Sequence, residues 1–199
     1  KIFSLTTYLG MILRSTNTRN SFEYYYSLNE LASNFTGDNS KLVLSSEWEY
    51  IPFFIPNPPD VLSEFVFIGF PSHLSGNSLL LPLAGHELGH AVWRLNSIEG
   101  PLSVSLSALA REYLETNDDL RTKLGINNDL FSDLRTAEVL ETSIDLCISQ
   151  AEEIFCDLFG LKIFKESYIY AFDWFMNPGF GGTTSLQYPT LTDRLSILD

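Results

Sequence analysis

The segment LLLPLAGHELGHAVW, residues 79 to 93, holds two of the three histidines in this 199-residue chain. His86 and His90 are four residues apart with Glu87 beside the first. On a helix, positions i and i+4 point nearly the same way, one turn apart. Both imidazoles can therefore reach one ion, while Glu87, one step round, reaches a water on that ion without ligating it. That is the chemical content of H-E-x-x-H: two nitrogen ligands and a general base on one face. The flanking Leu83, Ala84, Ala91 and Val92 read as buried, and histidines and a carboxylate in a buried stretch need partners. Zinc would supply one. Gly85 and Gly89 are poor helix residues, suited to a close approach by something else.

A catalytic zinc has three protein ligands and one open position. Asn96 stands where a third histidine would follow the pair in a metzincin, and Trp93 where that pattern has glycine. His73 lies upstream in a turn. A carboxylate from further on is the better expectation. In SQAEEIFCDLFGLKIF (149–164), Ile148, Ala151, Phe155 and Leu158 form an apolar stripe at helical spacing, flanked by Glu153 and Asp157 at i and i+4. Glu153 is expected to bind the metal. Asp157 would accept the second ring proton of a histidine, His86 in the first instance, and fix its tautomer. Glu141, with Asp145 at the same spacing, is a rival in more polar surroundings. Glu152 is a third option without an acid at i+4. Cys156 is read as core.

These residues resemble a family. HELGH followed roughly sixty residues later by E-x-x-x-D is similar to the gluzincin zinc metallopeptidases. The resemblance implies that His86, His90 and Glu153 hold Zn2+, that Asp157 braces a histidine, and that Glu87 serves as general base in hydrolysis of a peptide or protein substrate. The tail YPTLTDRLSIL (188–198) is similar to the H-P-x-x-x-x-R-I-x-x-L ending of the CAAX prenyl protease and heat-shock membrane protease group. Pro189, Arg194 and Leu198 match, Leu195 replaces isoleucine, and Tyr188 stands where that group has histidine. By that match Tyr188 is the candidate donor to the oxyanion, and Arg194 either clamps a substrate carboxylate or pairs with Asp157 or Asp193. That group is membrane-embedded, and this chain has no run of membrane-span length. A second reading is a zinc-containing binding or regulatory module of peptidase ancestry. The missing histidine at 188 motivates it, as does the aromatic–proline stretch YIPFFIPNPPD (50–60), suited to covering a cleft or docking a protein partner.

The elements that must position these groups are legible in outline. Residues 20–35 read as a helix capped by Asn20 or Ser21, 41–54 as strand material, 55–60 as a loop forced by its prolines, and 64–70 as a strand ending at Pro71. Residues 72–78 read as a turn. Helices are expected over about 80–96, with Pro82 in the first turn, 103–116, about 130–165 and 190–198, with a loop at 177–185. The expectation is one α+β domain over 1–199, a mostly helical zincin-like fold with a small sheet from the N-terminal half. Residues 1–78 would be mostly strand and loop, and 79–199 the helical catalytic portion.

Composition is that of an ordinary globular domain able to bury a sizeable core: 45% apolar, 19% charged and 14% aromatic residues. Twenty-five acidic against 12 basic residues give a net charge of −13, which argues against nucleic acid and anionic membrane surfaces as partners. Cys147 and Cys156, nine residues apart on one expected helix, fall on opposite faces and cannot bridge. Free thiols, with no signal-peptide pattern at the start, fit a soluble protein of a reducing, cytoplasmic compartment.

Overall fold

The computed structural model describes residues 2–16, 22–37, 39–74, 76–123, 134–176 and 188–198. The fold is α+β and mostly helical, with one three-stranded mixed sheet in the N-terminal half. Helices α1 (Ile2–Ser15) and α2 (Phe22–Thr36) precede strand β1 (Lys41–Glu47). The edge strand β2 (Phe53–Phe54) and strand β3 (Phe65–Pro71) follow, then α3 (Leu83–Leu95), α4 (Glu99–Thr116), α5 (Asp118–Lys123), α6 (Leu134–Phe164), α7 (Glu166–Met176) and α8 (Leu191–Leu198). The N-terminal portion thus carries two helices beside its strands, of which only α2 was expected.

The sheet order is β1-β3-β2, with β3 parallel to β1 and antiparallel to β2. Both faces are covered, which is why LVL and VFI are continuous apolar runs. On one face Leu42, Leu44, Val66 and Ile68 pack with Leu28, Ala32, Ala84, Leu88 and Ala91 from α2 and α3. On the other, Val43 and Phe67 pack with Met11 of α1. The strand material expected over 41–54 is interrupted at 48–52, where Trp48, Tyr50 and Ile51 are exposed and could not pack as sheet.

α3 begins at Leu83, with Pro82 as the preceding residue at φ −57°, and a 3-10 turn over Ser78–Leu80 takes the place of the earlier start. The proline ring fixes the helical φ, and its missing donor costs nothing there. α4 starts at Glu99, earlier than expected, because Pro101 falls in its first turn. α6 and α7 are separated by Lys165, whose φ of 55° breaks the helix and turns the chain back. A second apolar cluster, Leu80, Leu83, Tyr168, Ala171, Phe172 and Leu198, ties α7 and α8 to the start of α3. The caps expected at Asn20 or Ser21 and the loop 177–185 lie outside the described residues. No helix among the described residues is long and apolar enough to cross a membrane.

Candidate functional site

Two helices build the site by close approach. A Cβ at Gly85 would lie 2.9 Å from the Gly160 Cα, and one at Gly89 would lie 2.8 Å from the Cys156 Cα. Both separations are below what carbon atoms tolerate, so only glycine lets α3 and α6 pack at this distance. The contact sets the His86–Glu87–His90 turn of α3 against the Glu152–Asp157 turn of α6.

The buried line on α6 differs from the expected stripe. Leu158 is 43% exposed, whereas Ile148, Cys156, Asp157 and Gly160 are buried. The acids therefore sit on the packed face itself and do not flank it. The α3 contact, with its glycines, selects the face that carries carboxylates over the more apolar one.

Every nitrogen of the two histidines faces a carboxylate. His86 Nδ1 lies 2.9 Å from Asp157 Oδ1, and His90 Nδ1 lies 2.7 Å from Glu152 Oε1. An Nδ1–H donated to each of these carboxylates turns the two Nε2 atoms the other way. Those atoms converge on one residue: His86 Nε2 is 3.4 Å from Glu153 Oε2, and His90 Nε2 is 3.7 Å from Glu153 Oε1. The rings are 5.0 Å apart and nearly perpendicular, at 83°.

Asp157 is the hub behind His86. Arg194 of α8 donates from Nε and Nη2 at 2.6 and 2.7 Å, and the Tyr168 hydroxyl donates at 2.7 Å. Tyr168 is completely buried, and its ring occupies the space a side chain at Gly160 would fill. The Arg194 guanidinium also lies 4.8 Å from the Phe172 ring and 3.6 Å from Glu153. Of the partners considered for Arg194, Asp157 receives it. Asp193 instead accepts from the Thr190 hydroxyl at 2.6 Å.

The charges tune one another. Burial alone would lower the His86 pKa, but the hydrogen-bonded carboxylates of Asp157 and Glu153 outweigh it and raise it to about 10. Burial would raise Asp157, yet bonds from His86 and Arg194 bring it down to about 2. Glu153 is likewise lowered: His86, His90 and Arg194 overcome its burial. Glu87, buried in the same turn, goes the other way. Desolvation raises its pKa against the pull of His86 and His90. A carboxyl raised beside others held ionised is the pattern expected of a proton-transfer group.

Cys156 is placed with the pair: one ligand atom each from His86, His90 and Cys156 lie within 4.8 Å of one another. Its thiol is completely buried and pushed well up by desolvation and the charges of Glu153 and Glu152, so it is a neutral packing group against Gly89. Donor atoms at about 2.0–2.1 Å from one ion in a tetrahedral array lie roughly 3.3–3.5 Å apart. The two Glu153 contacts fall near that spacing but use different oxygens, Oε2 toward His86 and Oε1 toward His90. Among the described residues, the histidine pair with Cys156 is thus a group that could hold a metal ion, with the Glu153 carboxylate beside it.

The remaining candidates are accounted for. Glu141 and Asp145 are exposed, and Glu141 is three turns of α6 away from Glu153. His73 is exposed in the turn after β3, its ring 6.1 Å from Tyr50. Tyr188 is 52% exposed just before α8, where burial and the Glu153 charge raise its pKa and Arg194 opposes them. Two residues considered in the sequence take roles other than those expected, and one, Tyr168, escaped it. Glu152 orients His90, and its adjacency to Glu153 was the available signal. Phe54 stacks on His90 at 6.0 Å and 7°, so the aromatic–proline stretch does border the site. Tyr168 had no local signal. No protein-family model, curated protein or solved structure matches the chain.

Proposed function

We propose that the protein is a zinc-dependent peptidase in which His86, His90 and Glu153 hold the metal. One observation carries this reading: both Nδ1 atoms are tied to carboxylates, which turns both Nε2 atoms toward Glu153 at 3.4 and 3.7 Å. Zinc bound there would acidify a water and polarise a carbonyl. On metal binding His86 would give up the Nε2 proton that the carboxylates otherwise keep on it, while Asp157 and Glu152 would accept the Nδ1 protons and hold both rings in place. Glu87, with its raised pKa, takes the proton from the attacking water and returns it to the leaving nitrogen of the peptide. The Tyr188 hydroxyl, kept protonated by its burial and by the Glu153 charge, donates to the oxygen on which charge develops.

The test is metal content by mass spectrometry, run beside cleavage of a diverse peptide mixture. Near-stoichiometric zinc is expected in the parent and in Glu141→Ala, and a large loss in Glu153→Ala. Glu87→Gln should keep its zinc and stop cleaving. Zinc unaffected by Glu153→Ala, or cleavage that survives Glu87→Gln, refutes the assignment.

A further inference from the structure

Arg94 stands one turn beyond His90 on α3, so the two side chains leave the helix on nearly the same side. Phe54 of the edge strand touches both. It stacks on His90, and the Arg94 guanidinium lies 5.3 Å from its centroid. Arg94 Nε and Nη2 are buried, and among the described residues neither has a hydrogen-bond partner. These two nitrogens form the side fork of the guanidinium, a pair that can receive a carboxylate bidentately. Arg194 uses the same fork on Asp157. Two such forks thus stand beside the histidines, one filled and one with no acceptor among the described residues.

A shortage of acids does not explain this, because the chain has 25 acidic residues against 12 basic ones. Packing does not explain it either. The guanidinium is attracted to the Phe54 ring, but that contact leaves its in-plane N–H donors unused, and buried donors without acceptors weaken a fold. The arrangement fits an acceptor that arrives with a ligand. Arg94 is only partly buried as a residue, and the Phe54 it lies over belongs to a strand at the end of the sheet order.

We propose that Arg94 receives a carboxylate of the bound peptide, either its C-terminus or an acidic side chain, beside His90. This rests on the peptidase reading and narrows its substrate class. The test uses the Glu87→Gln background, so that peptides stay whole, with zinc loaded. Three acetylated hexapeptides of alanine, leucine and phenylalanine are titrated by calorimetry while the Arg94 Nε–H resonance is followed by NMR. One has a free C-terminus, one a C-terminal amide, and one an amide with a single internal glutamate.

At least one carboxylate peptide should bind about tenfold more tightly than the neutral amide, with a saturable shift of the Arg94 resonance. Whichever of the two does so identifies the source of the carboxylate. Arg94→Met should erase the preference, and Arg94→Lys should keep part of it. Equal affinity for all three peptides, no binding of any, or a preference that survives Arg94→Met overturns the proposal. Cleavage by the parent without regard to carboxylate would sink Arg94 alone. A carboxylate preference without cleavage would sink the peptidase reading alone.

Discussion

Replacing Asp157 by asparagine removes one charge at nearly constant volume, and the cost follows from what remains. Arg194 is 6% exposed and directs two donors at Asp157 at 2.6 and 2.7 Å. Without the carboxylate its guanidinium stays buried, and its other carboxylate contact, Glu153, is 3.6 Å away. Breaking a buried ion pair from one side costs about 3–5 kcal/mol. That is a large share of the roughly 5–15 kcal/mol by which a domain is stable. The assay is urea unfolding followed by circular dichroism at pH 7 with chelator present, so that metal binding does not contribute. Adding Arg194→Met to the Asp157→Asn variant removes the stranded cation and should recover about 2 kcal/mol or more of what additivity predicts lost. A single-mutant loss below about 1 kcal/mol, or strict additivity of the pair, would refute the view that Asp157 is the electrostatic hub.

Other outcomes follow from the same geometry. Asp157 is held at about 2 against an ordinary 3.8, so its contribution is present above pH 4 and lost as pH falls toward 2. The difference is worth about 2 kcal/mol by linkage, and urea midpoints measured from pH 5 to pH 2 should fall more steeply for the parent than for Asp157→Asn. Glu152→Gln should weaken zinc binding by about 10–100-fold in a competition assay with a chromophoric chelator, because an amide holds the His90 ring less firmly. Gly89→Ala should force α3 from α6 and lower stability by about 1–3 kcal/mol in thermal unfolding. Gly100→Ala, whose added carbon meets nothing within 4 Å, should be neutral or stabilising.

What could be read from the residues alone was what repeats along a helix. The four-residue spacings of His86/His90 and Glu153/Asp157 placed those groups before any tertiary contact was known, and the structure brings the four side chains together. The face of α6 was misjudged because apolar count pointed to Leu158, whereas packing is decided by what α3 offers: two glycines and a turn of polar groups. The break between β1 and β2 was hidden because Trp48, Tyr50 and Ile51 have strand propensity but no covering layer. Tyr168 was illegible for another reason. It reaches Asp157 only because Lys165 reverses the chain between two helices, and a single left-handed residue leaves no periodic trace. Arg194 had competing partners at sequence level, and burial beside Phe172 made the choice.

The order of assembly has a consequence for synthesis. The histidine turn emerges at residue 86 and its carboxylates by residue 157, yet the cation that balances Asp157 comes only at residue 194. A nascent chain that has made α3 and α6 still lacks the two donors of Arg194, and Asp157 has His86 as its one cationic partner among the described residues. The geometry of His86 is therefore settled late, after α8 docks, and a chain cut anywhere between 157 and 194 would present its histidines on a loosened brace.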